Sequence, residues 1–247
     1  QNDWDMRVPE LQDNWLWCRD CPQFAAIADI GQGLVYRGED RLPPGTHTYS
    51  TRRFRDAAAG FAHFGGRVQL HTLPTRVWMS LHRDVIRRPG TGATTGLPQV
   101  LWNYAPVSRG PWRLKGLLDE SGHAVTSRFL TVRPLNSAIP LEFYWALCNS
   151  PIANAFAYTH SMKRDILAGT MRQMPIPHSW EAGIDAVVQA ARAYLRAVAG
   201  NPHSLLVPQP GPDYLCRLLL QVDAEVLRLY DLPPRLEREM LDLFAGW

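Results

Sequence analysis

The spacing of apolar residues along the chain changes near residue 134. Residues 24–133 contain short apolar runs, rich in aromatic and branched side chains, that Gly and Pro repeatedly interrupt. Runs of this kind predict short strands joined by long loops. From residue 140 onwards the apolar residues recur every three or four positions, which predicts helices. The pattern therefore indicates a β-rich part followed by a helical part.

Several strands are predicted in the first part. Residues 24–38, FAAIADIGQGLVYRG, predict a strand, a turn at residues 31–33 and a second strand. Alternating apolar residues predict a further strand at 68–72, and branched and aromatic residues predict strands at 100–107 and 128–134. Many short strands with long loops favour an irregular, curved antiparallel sheet or a partial barrel.

The helical part begins with an apolar face that runs from Leu141 to Cys148. Pro151 suits the first turn of a second helix, and Ser179 suits the N-cap of a long one. The predicted helices after the first are 151–160, 163–171, 180–199, 215–230 and 233–244. Together the two parts predict an α+β fold class, with an irregular curved β-rich module followed by a helical module.

Charge is unevenly distributed along the 247 residues. The net charge is +3, but residues 30–133 hold fifteen basic and six acidic side chains, a net +9, and the parts on either side are net negative. All but one of these fifteen basic residues are Arg. Arg forms bidentate contacts with phosphates and guanine edges, so the β-rich part is expected to bind a polyanion such as nucleic acid.

Membrane insertion and secretion are not expected. No stretch of the chain approaches the ~18 apolar residues of a membrane span. Residues 1–10 have neither the basic segment nor the apolar run of a signal peptide. We therefore expect a cytoplasmic protein, and the expected binding to nucleic acid would make it nucleoid-associated. The sequence does not begin with Met, which is consistent with a fragment or a processed chain.

Cys18 and Cys21 form a single Cys-x-x-Cys pair. A zinc site needs about four ligands, and no second pair of ligands lies nearby in the sequence. A redox motif requires a strand before the pair and a helix after it. Reduced structural thiols are the favoured interpretation, and whether the pair binds a metal stays open at this stage.

Motifs of catalysis are not recognisable in the sequence. Residues 90–96 are Gly-rich but lack the Gly-Lys-Ser/Thr of a phosphate-binding loop. A Gly-rich turn for a methyl donor, a polar-Pro-Pro-aromatic loop and a pair of catalytic carboxylates are also missing. We therefore predict that the chain alone is not an enzyme, and that it has no catalytic or metal-binding residues.

Candidate DNA contacts are cationic, hydroxyl, amide and aromatic side chains on the predicted loops. Cations and hydroxyls can bind phosphates, and Asn and Arg can bind adenine and guanine edges. The predicted set is Arg52, Arg53, Arg55, Arg87, Arg88, Thr94, Thr95, Asn103, Tyr104, Ser108, Arg109, Arg113, Lys115, Arg128, Lys163 and Arg164.

Four segments, in this order, resemble a known family. Residues 24–33, FAAIADIGQG, resemble the strand and turn that open a target recognition domain of type I restriction specificity subunits. Residues 135–161 are similar to the helix pair of that family, and residues 165–195 resemble its closing segment and the start of its spacer helix. Residues 222–244 resemble the tail of many adenine-N6 DNA methyltransferases.

The resemblance implies the C-terminal target recognition domain of a bacterial restriction-modification or phage-defence adenine-N6 methyltransferase. Such a module recognises double-stranded DNA by sequence and positions it for base flipping by a catalytic half. The catalytic motifs of those enzymes are missing, so the catalytic half is expected outside this chain, as a domain or a subunit. S-adenosylmethionine is expected there, with no cofactor on this chain.

The same resemblance implies a division of the chain. Residues 1–23 are expected to form an N-terminal connecting segment. Residues 24–178 are expected to form the target recognition domain, and residues 179–247 a helical docking region at the C-terminal end. Within the recognition domain, the β-rich part is expected at 24–134 and the helical part at 135–178.

Two other functions stay open. The chain could be a protein-interaction scaffold of a defence complex without DNA readout, since the apolar stripes at 184–198 and 215–230 favour partner docking. An enzyme with an unrecognised site, such as a nuclease, is the second alternative. The lack of an acidic cluster in residues 30–133 argues against a nuclease.

Overall fold

A computed structural model of the chain describes residues 11–65, 69–161, 165–199 and 211–246. These residues form α-helices and mixed sheets, which confirms the predicted α+β class. The helices are α1 (Gln12–Trp17), α2 (Leu141–Asn149), α3 (Pro151–His160), α4 (Ala168–Met171), α5 (Trp180–Ala199), α6 (Pro212–Tyr230) and α7 (Pro234–Asp242). The strands are β1 (Ala28–Gln32), β2 (Val35–Tyr36), β3 (Tyr49–Ser50), β4 (Ala57–Phe61), β5 (Val77–Ser80), β6 (Ile86–Arg88), β7 (Gln99–Asn103), β8 (Gly116–Asp119), β9 (Ala124–Val125) and β10 (Phe129–Pro134).

The main sheet is antiparallel and has the strand order β1-β10-β7-β8. In its register Ile30 lies opposite Val132, and Leu130 lies opposite Trp102. Side chains alternate along a strand, so these residues share one face of the sheet. That face is buried against the helices, with Trp102 donating a hydrogen bond to the Cys148 carbonyl of α2 at 2.9 Å.

The helices cover this face as one layer. α2 packs against β7 and β8 and also against α5, and α5 packs along α6. The resulting hydrophobic core is continuous from Leu11 to Phe244. Residues on both sides of position 178, including Ile176 and Val187, therefore contribute to one core.

Smaller sheets cover the opposite face of the main sheet. β3, β5, β4 and β9 form one of them, in that order, with β4 and β9 parallel, and β2 pairs with β6. Leu101 and Phe129 of the main sheet pack with Phe61 and Val125 of the small one. The sheet β3-β5-β4-β9 is the small sheet of the molecule.

Gly31 and Gly33 let the chain pass close to neighbouring segments. A Cβ atom at Gly33 would overlap the Thr126 carbonyl, and one at Gly31 would overlap the Thr91 side chain. The prediction of a turn at residues 31–33 is wrong in detail, because Gly31 lies within β1. β1 and β2 then pair with different strands, β10 and β6 respectively.

Three other predicted elements differ from the structure. Residues 69–72 form a turn with a Thr72 N–H to Gln69 carbonyl bond of 3.1 Å instead of a strand, and residue 68 lies outside the described residues. The strand predicted at 100–107 ends at Asn103, where a turn begins. Within the described part of the helix predicted at 163–171, only Ala168–Met171 is helical, because the Ile166 N–H bonds the Tyr104 carbonyl at 2.7 Å; residues 163 and 164 lie outside the described residues.

The other predicted helices are confirmed. α2 buries the apolar face that begins at Leu141, and Pro151 occupies the first turn of α3. The Ser150 hydroxyl accepts a bond from the Ala153 N–H at 3.2 Å and so caps α3. α5, α6 and α7 lie where the helical periodicity predicts them.

Candidate nucleic-acid interface

One end of the main sheet gathers cationic side chains from distant parts of the sequence. The register places Gln32 at the end of β1, Asn103 at the end of β7 and Phe129 at the start of β10 on this side. The Tyr104 N–H continues the pairing with a 3.0 Å bond to the Arg128 carbonyl. We define the basic end as Arg88, Tyr104, Arg109, Lys115 and Arg128.

Arg88 is tied to this end through Gln32. Its Nη2 donates to the Gln32 Oε1 at 2.6 Å, and the Gln32 Nε2 donates to the Ser127 carbonyl at 3.3 Å. Arg88 is the last residue of β6, whereas Arg128 precedes β10, so two chain segments meet here. Arg88 and Arg128 are both exposed, and Arg87 beside them is exposed as well.

Tyr104 lies half-buried between Gln32 and Asp165. Desolvation raises the pKa of the Tyr104 phenol, and the Asp165 carboxylate raises it further, while Gln32 and Arg88 act in the opposite direction. The phenol therefore stays protonated near neutral pH and remains a hydrogen-bond donor. Gln32 and Asp165 were not among the predicted residues, since each joins this site from a distant segment.

The loop from Tyr104 to Lys115 is braced by buried amides. The Asn103 Nδ2 donates to the Ala105 and Arg113 carbonyls at 2.7 and 2.8 Å, and the Asn103 Oδ1 accepts from the Lys115 N–H at 2.6 Å. Asn103 is buried and these bonds engage its carboxamide, so the structure argues against the predicted base contact. The loop carries Arg109, which is exposed.

Arg113 and Ser108 also hold the loop instead of facing outwards. The Arg113 Nη1 donates to the Ser161 carbonyl at 3.3 Å, and its guanidinium lies 4.9 Å from the Tyr158 ring centroid. The Ser108 hydroxyl donates to the Trp112 carbonyl at 2.6 Å. We therefore leave both residues out of the contact surface. Lys115 is half-buried at the start of β8, and desolvation lowers its pKa.

Arg52, Arg53 and Arg55 lie together on the connection from β3 to β4, on the small sheet. All three are exposed. Arg55 approaches Asp56 at 3.5 Å with both side chains almost fully in water, so this ion pair contributes little stability. The three arginines form a second cationic group on a different sheet from the basic end.

Thr94 and Thr95 lie at the other end of the main sheet. The Thr94 carbonyl accepts a 2.9 Å bond from Arg133, which is opposite Asp29 at the start of β1. The structure therefore does not bring the two threonines together with the basic end. Lys163 and Arg164 lie outside the described residues.

A buried polar network occupies that other end. The Arg133 guanidinium donates to the Gln99 Oε1 at 3.0 and 2.9 Å, and the Gln99 Nε2 donates to the Asp119 Oδ2 at 2.8 Å. His123 contacts the Asp119 carboxylate at 2.7 Å. Burial lowers the pKa of Arg133. Arg133 is thus a structural cation, although it counts in the positive excess of the β-rich part.

Metal ligation has no support among the described residues. No group of three or more His, Cys, Asp or Glu side chains in that part of the chain could hold a metal ion. Cys18 and Cys21 are free thiols. Burial raises the pKa of Cys18 to about 12 and also raises that of Cys21. None of the helices in the described ranges is long and apolar enough to span a bilayer.

Comparison with known proteins gives partial structural overlaps. No family model and no curated protein matches the sequence. The fold overlaps the Type IIL restriction-modification enzyme MmeI, solved in complex with DNA, with a TM-score of 0.42 and 14% identity over 68% of this chain. It overlaps the HsdS subunit from Thermoanaerobacter tengcongensis with a TM-score of 0.39 and 14% identity over 84% of this chain. The chain spans 21% of the first protein and 44% of the second.

Proposed function

We propose that this chain is a sequence-specific recognition module for double-stranded DNA in a bacterial restriction-modification or phage-defence system. The observation that carries the proposal is the convergence of cations at the basic end. Arg88, Arg109 and Arg128 come from three separate segments, and all are exposed. The order of the target-recognition motifs along the sequence supports the same function.

The basic end suggests a division of roles. Arg88, Arg128 and Lys115 are placed beside strand ends and bind phosphates, which position the duplex without reading its sequence. Arg109 sits on a loop that Asn103 braces from within. An arginine presented on a braced loop is suited to bidentate contact with guanine in the major groove, so we assign base reading to Arg109.

The proposal includes a catalytic partner outside this chain. The sequence resemblance implies an adenine-N6 methyltransferase domain or subunit that binds S-adenosylmethionine and flips the target base. α5 and α6 are the proposed docking elements, since they pack on the side of the main sheet away from the small sheet. We propose a cytoplasmic, nucleoid-associated location for the assembly.

The test is duplex binding by the 247-residue chain across a salt series. For about five neutralised phosphates the logarithm of the affinity should fall with the logarithm of the salt concentration with a slope of about −4.5. Arg88→Gln with Arg128→Gln should lower affinity about ten-fold and make the slope shallower by about 2. The matched control is Arg196→Gln with Arg217→Gln, two exposed arginines on α5 and α6, which should bind like the wild type.

The scaffold without DNA readout remains the second candidate. Exposed apolar side chains on α1 and α6 favour it, with Trp17 53% and Leu220 59% exposed. A chain that captures a methyltransferase partner but shows no duplex binding at low salt would support the scaffold. That result would reject DNA recognition. Duplex binding that is unchanged by Arg88→Gln with Arg128→Gln would reject only the basic end as the contact surface.

A further inference from the structure

Two arginines of the small sheet share one tryptophan ring. The Arg53 guanidinium carbon lies 4.7 Å from the Trp78 ring centroid, and that of Arg76 lies 5.5 Å from it. Both distances are in the range of cation–π attraction. Trp78 was not a predicted contact and neither was Arg76, because they approach Arg53 only when β3, β4 and β5 pair.

The strand register sets the direction of Trp78. It lies opposite Ser50 of β3 and Ala59 of β4, while its neighbour Met79 is fully buried in the core beneath the sheet. Alternation along β5 therefore turns Trp78 to the outer face. Arg53 and Arg76 are exposed on that face, with Trp78 half-buried beneath them.

The charges of this cluster are not balanced within the protein. No ion pair joins Arg53 or Arg76 to a carboxylate anywhere in the described ranges. The ring holds two like charges close together, which raises the local positive potential. A guanidinium held over the ring can still present its N–H groups to an anion.

We propose that Arg53, Trp78 and Arg76 form a second phosphate-binding site for the duplex, separate from the basic end. This inference rests on the proposed function. The ligand is the sugar-phosphate backbone and not a base, since the two guanidiniums already occupy the ring that a base would stack on. The role of Trp78 is to hold the two arginines in place before DNA binds, which reduces the entropy lost on binding.

Charge removal is the first test, with the 247-residue chain and a duplex over a salt series. Arg53→Gln with Arg76→Gln should make the salt slope shallower by about 2, because two phosphate contacts are lost. Both side chains are exposed, so the fold should be retained. The Arg196→Gln, Arg217→Gln chain is again the control with two charges removed.

Ring removal is the second test. Trp78→Leu keeps both charges, so the salt slope should stay near the wild-type value while affinity falls about two- to five-fold for each arginine released. Trp78→Phe retains an aromatic face and should recover most of the affinity. Thermal melts of all variants confirm that the folded chain is being compared.

The outcomes separate the two proposals. An unchanged slope for the Arg53, Arg76 variant of a chain that otherwise binds DNA overturns the second site alone. A second pattern also overturns the proposed phosphate site. In it the arginine variant keeps the wild-type salt slope, while Trp78→Leu loses affinity that Trp78→Phe does not recover. The ring would then contact DNA directly, by stacking on a base. A wild-type chain that does not bind duplex DNA overturns the proposed function and this inference together.

Discussion

Buried amide side chains replace backbone partners in the loop that carries Arg109. The Asn154 Oδ1 accepts from the N–H groups of Arg113 and Leu114, both at 2.8 Å, and the Asn149 Oδ1 accepts from the Gly116 N–H at 2.7 Å. Backbone groups that find no strand partner here are thus satisfied from α2 and α3. The shape of an exposed loop is set by residues that are themselves inaccessible.

Asn103→Ala should loosen this loop and lower stability. The substitution removes the three hydrogen bonds of a buried carboxamide and leaves backbone groups of Ala105, Arg113 and Lys115 without their side-chain partner. We expect a decrease of about 3 kcal/mol in the free energy of unfolding, measured by urea denaturation. Gln189→Ala, at an exposed position of α5, is the control and should change stability little. A loss below about 0.5 kcal/mol for Asn103→Ala would contradict the bracing role.

Gly33→Ala should be strongly destabilising because of backbone crowding. An added Cβ meets the Thr126 carbonyl, so one of the two segments must move. We expect a loss of about 3 kcal/mol or more in the free energy of unfolding. Gly169→Ala is the matched control, because nothing lies within 4 Å of a Cβ there and α4 gains a better helix former. Equal stability of the two variants would contradict the close approach at Gly33.

Single residues show where sequence reasoning reaches its limit. Arg88, Arg109 and Arg128 are exposed cations, and charge alone points to them. Asn103 and Arg113 have equally suitable chemistry for DNA, yet the fold uses them internally. Arg113 bonds Ser161, a residue 48 positions away, and no local pattern in the sequence predicts such a partner.

At the level of elements, periodicity predicts helices better than strands. α5, α6 and α7 each bury a regular apolar stripe, whereas α2 is buried all round from Phe143 to Asn149. Apolar spacing of this kind is a local property of the sequence. The alternation at residues 68–72 is equally regular over a shorter stretch, but its described residues, 69–72, do not form a strand. A strand also needs a neighbour to pair with, and that neighbour is determined by the rest of the fold.

Asp223 makes the stability contribution of α6 depend on pH. Burial raises the pKa of its carboxyl from the ordinary value of 3.8 to about 7. The folded chain therefore binds this proton more tightly than the unfolded chain does. The contribution of the protonated Asp223 carboxyl to the free energy of unfolding is fully present below about pH 4. It is lost as the pH rises through about 7, where the buried carboxyl ionises.

Asp223→Asn should remove the loss of stability that the wild-type chain suffers as the pH rises through about 7. We expect the free energy of unfolding to rise by about 2 kcal/mol at pH 8 and to change little at pH 4, measured by thermal or urea unfolding at both values. Asp185→Asn, at an exposed position of α5, is the control and should keep the wild-type difference between the two conditions. A variant that is less stable than the wild type at pH 8 would contradict the burial of a destabilising carboxylate.

For the whole molecule, pairing between distant strands determines the architecture. β1 pairs with β10 across about a hundred residues, and β4 pairs in parallel with β9. The α+β class follows from local patterns, but neither of these pairings does, because contacts of such separation leave no periodic signal. The basic end depends on the pairing of β10 with both β1 and β7, which brings Gln32, Tyr104 and Arg128 together.

Thiol labelling should report on the core as a whole. Cys216 is exposed, whereas Cys148 and Cys18 are buried in the same core, and burial raises the pKa of both thiols. A maleimide should therefore modify Cys216 of the native chain at least about ten-fold faster than the other two. In urea, Cys18 and Cys148 should become reactive over the same concentration range, as peptide mass spectrometry can show. Rapid native labelling of Cys148 would contradict the single core.

The segment after α7 and the loop of Arg109 are in direct contact. The Trp112 ring lies 4.3 Å from the Phe244 ring, centroid to centroid, so the far end of the chain forms part of the support on which the loop rests. A chimera that takes only the β-rich part of this protein would leave the Trp112 indole without its aromatic neighbour. A chimera should therefore take the C-terminal segment that contains Phe244 from the same protein as the loop that contains Trp112.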